Sequence, residues 1–384
     1  MTRLIAERTG TILPGEPGYD EARKALNPAL DPHPAIIVDA AAPADVRAAV
    51  AIARDRGLPL AVQATGHGTH VAADGAVLLR TSRMNQVEID PDRRVARVRP
   101  GARWGQVIDA AAPYGLAPLA GSSRDVGVAG FTLGGGVGWL SRKYGLAADS
   151  LLRAEVVTAD AEPISTDDHP DLLWALRGGG GSYGVVTGLE VRLHEVPVVH
   201  AGIVPFADLD RYRDWVATAP GEVSTALIIS PEGVKLKVMY AGDDPERVLG
   251  PLGVSVEPMA FGQAVMGGTP ARHLDFFHEL SDEVMAVAVR AGEQATVEIR
   301  HWGGAIARHA GPVAAARASF SVIVSEPLPG LAEALAPHAT GGSFLNFLAD
   351  TSRTRQAFTG YDRLAAVKRA YDPGNLFSVG HTVS

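Results

Sequence analysis

The chain has 384 residues, of which 46% are hydrophobic, and its formal net charge at pH 7 is −8. This length and apolar content suffice for two or three lobes with substantial cores, while the acidic balance and the absence of a basic stripe argue against a nucleic-acid surface. The sequence contains no cysteine, which excludes disulfides, thiolate catalysis, cysteine-ligated zinc and iron–sulfur clusters.

The N-terminus carries no recognisable targeting segment. The first ten residues, MTRLIAERTG, lack the apolar core of a signal peptide, and no uncharged apolar run of about 18 residues follows. We therefore expect a soluble, cytoplasmic protein with no membrane partner.

Strand and helix patterns alternate through the first half of the chain. A short helix is predicted at 19–27, and a strand at 35–38, a helix at 44–56 and a strand at 58–63 form a β-α-β unit. Later strands are predicted at 77–79, 86–89, 95–98, 155–158 and 185–193, with helices at 104–112 and 171–176.

The pattern changes near Pro197. Longer strands are predicted at 225–229, 234–240, 296–302 and 319–324, with amphipathic helices at 273–286 and 331–335. These elements indicate an α+β second domain whose sheet covers one face of a ligand. A final helix begins at Tyr361.

A glycine-rich stretch, VGVAGFTLGGGVG, occupies residues 126–138. Glycine permits positive φ and a close approach of the backbone to a bound group, with N–H donors directed at it, so a nucleotide diphosphate is the expected ligand. The stretch lacks the Lys and Ser/Thr of a Walker loop, and no strand followed by GxGxxG opens the chain. A tight surface loop is the alternative interpretation.

Three further segments have the same character: QATGHGTH at 63–70, VRPGARW at 98–104 and RGGGGSYG at 177–184. Several glycine turns at the ends of apolar strands indicate one extended ligand lying between sheet edges.

Five motifs in a fixed order resemble those of a known family. The TGH turn, PGARWGQV at 100–107, the block at 126–151, DLLWALRGGGGSYGVVT at 171–187 and YDPGNLF at 371–377 are similar to the FAD-linked oxidases of the vanillyl-alcohol-oxidase superfamily, in particular the berberine-bridge-enzyme-like branch. The resemblance implies an α+β fold with a two-lobed FAD-binding domain at 1–197. It further implies a substrate domain with an antiparallel sheet covered by helices at 198–348, and a C-terminal segment, 349–384, that returns to the FAD-binding domain.

The resemblance also assigns residues to the cofactor. His67 falls on the histidine that such enzymes join to the flavin 8α-methyl carbon; the alternative is a histidine that only hydrogen-bonds the cofactor. Relatives often add a cysteine link where this chain has Ser123, so any covalent link is expected to be single. The full set of implied FAD contacts is Thr65, Gly66, His67, Gly68, Thr69, His70, Gly121, Ser122, Ser123, Val126, Gly127, Gly130, Phe131, Gly134, Gly136, Val137, Val186 and Asn375.

The departures from the family concern catalysis. Phe131 and Val137 stand where relatives often have histidine and tyrosine, and Phe344-Leu345-Asn346-Phe347 replaces a Tyr-x-Asn-Tyr segment, so the tyrosine base is missing. The candidate substitute bases are His301, Glu298, Tyr240 and His381; the alternative, which the strand pattern favours for the first two, is an ordinary solvated or hydrogen-bonded residue. Small Val126, at the position that guards oxygen access, favours an oxidase.

The expected function is therefore an FAD-dependent oxidase that transfers a hydride from a hydrophobic or polycyclic metabolite to flavin N5, with O2 as electron acceptor. One alternative is a flavin-binding protein that catalyses a non-redox cyclisation, and another is a reductase fed by NADPH. A homodimer is possible. No metal is expected, because no carboxylate cluster accompanies His67 and His70.

Overall fold

The computed structural model describes residues 10–264 and 266–383. The expectation that the N-terminus lacks a signal-peptide core concerns residues 1–9, which lie outside the described residues. Within the described ranges, no helix is both long enough and apolar enough to cross a membrane.

The first elements form a small sheet with one covering helix. They are β1 (Thr11–Ile12), α1 (Tyr19–Ala22), β2 (Ile36–Asp39), α2 (Pro43–Arg56), β3 (Leu60–Gln63) and β4 (Val77–Arg80). The sheet has the order β1-β2-β4-β3; β2, β4 and β3 are parallel, and β1 is antiparallel to β2.

Helix α2 begins and ends at local signals. The Asp45 carboxylate accepts the N–H groups of Ala41 and Ala42, at 2.9 and 3.0 Å, and Gly57 ends the helix at φ 64°. Its buried face consists of Val46, Ala49, Val50 and Ala53. This face packs in one core with strands β2, β3 and β4.

A second sheet completes the first half of the chain. The elements are β5 (Val87–Asp90), β6 (Val95–Val98), α3 (Trp104–Ala111), β7 (Leu116–Ala117), α4 (Val128–Leu133), α5 (Ser141–Tyr144), β8 (Leu151–Val157), β9 (Pro163–Ser165), α6 (Pro170–Leu176), β10 (Val185–Arg192) and β11 (His194–Glu195). The antiparallel sheet has the order β5-β6-β10-β8-β9, and β7 pairs with β11. The glycine-rich segment, which we define as residues 121–138, lies between β7 and β8.

The second half forms a seven-stranded antiparallel sheet. Its elements are β12 (Val199–Pro205), α7 (Leu209–Val216), β13 (Val223–Ser230), β14 (Gly233–Tyr240), α8 (Pro245–Leu249), β15 (Glu257–Met259), β16 (His273–Phe277), α9 (Asp282–Gly292), β17 (Val297–His301), β18 (Phe320–Val324) and α10 (Leu331–Leu335). The strand order is β15-β12-β14-β13-β17-β18-β16.

The two faces of this sheet have different neighbours. Side chains such as Leu227 and Val297 pack against the helices α7 to α10. On the other face, Ala226 shares a core with Trp139 of the first half, and Ile323 shares one with Val137. The predicted α+β fold, with an antiparallel sheet covered by helices, is confirmed. The sheet face that carries no helices lies against the glycine-rich segment.

The prediction of one helix over 273–286 is wrong. Residues 273–277 form the edge strand β16, which pairs with β18 from His273↔Val324 to Phe277↔Phe320. The helix begins only at Asp282, where the Ser281 hydroxyl accepts the N–H of Val284 at 3.3 Å. The predicted helix at 19–27 is also shorter in the structure, since α1 ends at Ala22.

The C-terminal helix α11 (Tyr361–Tyr371) returns to the first half of the chain. The buried ammonium of Lys368 donates to the carbonyl of Ser182 at 2.9 Å and to the carboxylate of Asp372 at 2.5 Å. The N–H of Leu60, at the start of β3, donates to the carbonyl of Leu376 at 2.9 Å. The tail is therefore part of the structure around the first sheet.

Candidate active site

The glycine run in the glycine-rich segment is required by close packing within the chain. A Cβ atom on Gly136 would lie 2.5 Å from the Phe131 ring, and one on Gly138 would overlap the carbonyl oxygen of Ala120. Gly136 also has φ 70°, a conformation that other residues rarely adopt.

Asn346 holds this run in place from the other end of the chain. Its side-chain oxygen accepts the N–H of Gly136 at 2.9 Å, and its amide nitrogen donates to the carbonyl of Phe131 at 3.2 Å. A Cβ on Gly134 would lie 2.5 Å from that nitrogen. Asn346 thus joins the 344–347 segment to the glycine-rich segment by hydrogen bonds, beside the packing of Phe344 against Gly135.

The N–H groups of the run are used inside the protein. Gly134 donates to Gly130 and Gly135 to Thr132, both at 3.1 Å, while Gly136 and Gly138 donate at 2.9 Å to the side chains of Asn346 and Ser141. The expectation that this run directs N–H donors at a phosphate is therefore wrong, because these four donors already have acceptors.

Free N–H donors occur instead in the TGH turn, which we define as residues 65–70. Gly66 has φ 83° and accepts the N–H of Thr69 at 3.1 Å. Among the described residues, the N–H groups of His67, Gly68 and His70 have no acceptor. A turn with several such donors suits a pyrophosphate.

Thr65 joins the TGH turn to the glycine-rich segment. Its hydroxyl oxygen accepts the N–H of Gly127 at 3.2 Å and lies 3.2 Å from Nδ1 of His67. A Cβ on Gly127 would lie 3.0 Å from this hydroxyl, so glycine permits the contact. The structure therefore brings His67 and the start of the 127–130 block together.

His67 is neutral at physiological pH. Partial burial lowers the pKa of its imidazole below the ordinary value, and the nearby Arg103 guanidinium lowers it further. Arg103 itself is paired with Asp125 at 3.1 Å. A neutral imidazole retains a nucleophilic nitrogen, as covalent attachment requires.

The other expected cofactor contacts are distributed around this junction. The Phe131 ring lies against Gly121, where a Cβ would be 2.8 Å away, and the exposed Gly130 has open space where its Cβ would be. Ser122 lies beside the 267–269 loop. Val126 is half-buried.

Three of the expected contacts lie apart from the junction. Val137 and Val186 are buried in cores. Asn375 is exposed, at φ 53°, on a turn beside Leu376, next to the start of β3, whereas the TGH turn follows the end of β3. Asn375 lines a separate cleft of about 790 Å³ there. The structure does not bring it to the TGH turn.

A buried ion cluster lies on the sheet face that contacts the first half. The Glu298 carboxylate accepts two bonds from Arg300, at 2.6 and 3.0 Å, one from Thr269 at 3.0 Å and one from Lys237 at 3.5 Å. The Arg300 guanidinium lies 5.5 Å from the ring centre of Trp139. The cluster is thereby connected to the residue that follows the glycine run.

Glu298 is ionised in this cluster. Burial acts to raise the pKa of its carboxyl, but Arg300 and Lys237 outweigh burial and hold the pKa below its ordinary value. A carboxylate with both oxygens occupied and a lowered pKa has a weak affinity for protons. The structure therefore favours a positioning role over that of a general base.

The other candidate bases have different surroundings. Tyr240 is buried among the helix-side residues, and its hydroxyl accepts the N–H of Asp244 at 3.3 Å. His301 also lies on the helix side of the sheet, where its ring stacks on Phe320. His381 lies 6.5 Å from His70 between ring centres, but its nitrogens contact Thr354 at 2.7 Å and Leu348 at 2.8 Å. Of the four candidates, Glu298 lies on the sheet face towards the glycine-rich segment, and His381 lies beside the TGH turn.

His301 takes part in an interface contact with a buried arginine. Its Nε2 accepts a hydrogen bond from Arg142 at 2.9 Å, which assigns the ring proton to Nδ1. Arg142 also donates to the carbonyls of Val223, Ala219 and Trp302 and has no carboxylate partner among the described residues. Burial lowers the pKa of Arg142 to about 10, so it remains a cation.

This contact gives a pH-dependent stability. Burial, and then Arg142, lower the pKa of His301 well below its ordinary value, so the unfolded chain takes up a proton first as the pH falls. The contribution is present above about pH 6.5 and is lost below it, by about 1.4 kcal/mol per pH unit for one group. We expect the unfolding free energy of His301→Gln, measured by urea unfolding between pH 7.5 and 5, to depend less steeply on pH. The difference in slope should correspond to one proton.

The control for this measurement is His278→Gln, at an exposed position. Its unfolding free energy should depend on pH as steeply as that of the unsubstituted chain. His194, whose pKa burial lowers to about 4, contributes equally in both variants. Identical slopes for the two variants would contradict a neutral, arginine-bound His301.

Sequence reasoning missed three side chains of the candidate site. Lys237 and Thr269 were not considered, and Asn346 was noted only as part of a motif. The alternation of polar and apolar residues in KLKVMY, 235–240, indicates a strand with Lys237 on one face. Which neighbours that face meets depends on the register of the sheet. Nothing in the local sequence points to the partners of Asn346, which lie more than 200 residues away.

Two family models match the chain. The one described as "FAD binding domain" matches residues 34–167, and the one described as "Berberine and berberine like" matches residues 343–384. The first match includes the TGH turn and the glycine-rich segment, and the second includes Asn346 and helix α11.

Curated relatives match between about half and three fifths of the chain. The chain is similar to (R)-6-hydroxynicotine oxidase of Paenarthrobacter nicotinovorans, with 38% identity over 201 residues, 51% of this chain and 44% of that protein. It is similar to glucooligosaccharide oxidase of Sarocladium strictum, with 32% identity over 257 residues, 61% of this chain and 51% of that protein. The chain thus spans about half the length of the curated relatives it matches.

Solved structures match the whole chain. That of 6-hydroxy-D-nicotine oxidase from Arthrobacter nicotinovorans has a TM-score of 0.82 and 25% identity, covering 98% of both chains. The wild-type BBE-like 1 protein of Physcomitrella patens has a TM-score of 0.85 and 22% identity, covering 99% of both, and shows likeness of fold alone.

Proposed function

We propose that this chain, which matches an FAD-binding and a berberine-like family model, is a berberine-bridge-enzyme-like FAD-dependent oxidase of a small organic molecule. The observation that carries this proposal is the junction at Thr65, whose hydroxyl joins His67 of the TGH turn to Gly127 of the glycine-rich segment. At this junction, the N–H donors and the neutral histidine of the TGH turn lie beside the tightly packed glycine-rich segment.

The residues present fit FAD. The unused N–H groups of His67, Gly68 and His70 suit its pyrophosphate, and the open side of Gly130 leaves room for a flat ring system. When bound, FAD supplies a two-electron acceptor that takes a hydride from a substrate C–H and passes the electrons to O2, giving H2O2. The small side chain of Val126 and the oxidases among the named relatives support O2 as the acceptor.

The substrate is proposed to be mainly apolar. Phe344 is fully buried and packs edge-on against Trp302 and Phe347, so the 344–347 segment offers no proton acceptor of the tyrosine kind. Phe344 shares a core with Ile323, which is paired with the fully buried Glu298 on the sheet face that contacts the first half. A proton released by the substrate then goes to solvent water or to a histidine such as His381, after its bond to Thr354 opens.

We further propose that FAD is attached covalently through His67 alone. The neutral imidazole is a competent nucleophile towards the 8α carbon, where a C–N bond would replace a C–H bond; the imidazole and 8α protons and the two electrons released would pass through the flavin to O2, giving H2O2. Ser123, at the position of the second link in relatives, has a hydroxyl that forms no thioether.

The test is acid precipitation of the yellow protein. With the covalent link, the flavin colour stays in the pellet, and His67→Ala should release it to the supernatant, because no other imidazole replaces the lost nucleophile. His70→Ala is the matched control in the same turn and should keep a yellow pellet. Absorbance at the flavin maximum in pellet and supernatant gives the result.

Three other outcomes separate the proposals. A yellow supernatant from the unmodified chain would retain FAD binding and contradict the covalent link. A colourless protein that takes up no added FAD would contradict the flavoenzyme assignment. Flavin that stays oxidised with every substrate of an anaerobic panel would favour the alternative, a flavoprotein that catalyses a non-redox cyclisation. The alternative is compatible with a Glu298 carboxylate that is already bonded to Arg300 and with the buried Phe344 in place of a tyrosine base.

A further inference from the structure

We propose that Lys237 and Arg300, which lie on either side of Ala226, bind an anionic oxygen of the substrate, either a carboxylate or a phenolate. This inference rests on the oxidase function proposed above and names the substrate class. It concerns the sheet face that contacts the first half of the chain.

Strand register places two cationic side chains on either side of Ala226. Ala226 on β13 is paired with Lys237 on β14 and, on its other side, with Arg300 on β17. Directly paired residues of a sheet point to the same face, and neighbouring strands lie about 4.8 Å apart. Two long cationic side chains therefore flank the methyl group of Ala226 on one face of the sheet.

The charges of the cluster do not balance. Lys237 and Arg300 carry two positive charges, whereas Glu298 carries the one negative charge of the cluster. Their side chains are only 10%, 9% and 0% exposed. A buried charge without a partner is costly, so an anionic ligand group would complete the pairing.

Several donors beside Ala226 are unused within the part of the chain that the structure describes. The Lys237 ammonium makes two long contacts there, 3.5 Å to Glu298 and 3.4 Å to the carbonyl of Gly267, against about 2.8 Å for a good charge-assisted bond. Arg300 bonds Glu298 through Nε and one Nη, and its other Nη has no hydrogen-bond acceptor among the described residues. The buried Trp139 indole N–H also lacks an acceptor there.

The surroundings specify the rest of the ligand. Trp139, Met239 and Met266 belong to the same apolar cluster as Ala226. An apolar or aromatic skeleton with a single acidic oxygen therefore fits this place better than a sugar, whose many hydroxyls would lack partners.

The test compares charged and neutral probes of one shape. Benzoate, 4-nitrophenolate and benzamide are titrated into the FAD-loaded protein, with binding measured by calorimetry and by the shift of the flavin spectrum. We expect benzoate or 4-nitrophenolate to bind at least about tenfold tighter than benzamide, as expected for a hydrogen bond to a charged group. The stronger of the two anions identifies the source of the acidic oxygen.

Lys237→Met should remove this preference, weakening anion binding about ten- to a hundredfold while benzamide binding stays unchanged. The variant keeps the Glu298–Arg300 pair and is expected to fold, which circular dichroism checks. Lys235→Met, at an exposed position two residues earlier on the same strand, is the matched control and should keep the preference.

Equal affinity for benzoate, 4-nitrophenolate and benzamide would overturn the inference, as would equal effects of the two lysine variants. Failure of the proposed oxidase function can be distinguished from failure of the proposed anion site. A protein that takes up no FAD contradicts the oxidase, while calorimetry of the apoprotein still reports whether benzoate is preferred through Lys237.

Discussion

Gly138→Ala should abolish stable flavin uptake and lower the free energy of unfolding by about 3 kcal/mol or more. The added Cβ would overlap the carbonyl oxygen of Ala120, which is backbone and has little freedom to move. The segment would have to shift away from Phe131 and Asn346, which fix its position. Urea unfolding of the apoprotein and visible absorbance after FAD addition measure the two effects.

Gly130→Ala is the matched control in the same segment. No atom lies within 4 Å of its Cβ position, and alanine favours helix α4, so the apoprotein should unfold at the same urea concentration or slightly higher. Wild-type stability of Gly138→Ala would mean that the backbone approach to Ala120 is not required by the fold.

Glu298→Ala should destabilise the protein by about 3–5 kcal/mol, because it leaves Lys237 and Arg300 as buried cations without a counter-charge. The loss should be visible as a lower thermal unfolding temperature of the apoprotein. Glu293→Ala, at an exposed position just before β17, is the control and should change stability by no more than about 0.5 kcal/mol.

A triple variant separates charge from packing in this cluster. Glu298→Leu combined with Lys237→Met and Arg300→Met removes all three charges and should recover most of the stability lost in Glu298→Ala. If the triple variant is as unstable as the single one, the loss comes from packing and the charge argument is incorrect.

Local signals were sufficient for part of the fold. Helix α2 has Asp45 near its start and Gly57 at its end, and both act within one helical turn, so its bounds were predictable to one residue. Strand β16 was not predictable in this way. Residues 273–286 also fit helical spacing, and only pairing with β18, more than forty residues later, makes the first five a strand.

The site shows the same division. The TGH turn and His67 could be located because their chemistry lies within one short segment. The use of the N–H groups of the glycine run could not, because composition does not tell whether a donor meets a ligand or a distant side chain such as Asn346. The cluster of Lys237 and Arg300 depends on the register of three strands, which a single sequence does not specify.

The return of helix α11 to the first sheet affects how the protein is made. During synthesis the strands of the first half are made before the seven-stranded sheet, and Lys368 and Leu376, which bond to Ser182 and Leu60, are made only afterwards. The first half therefore forms these contacts only after residues 361–376 have been made, a long-range closure of the kind that slows folding. Flavin capture during refolding should accordingly be a late event, following the appearance of β-sheet signal and not accompanying it.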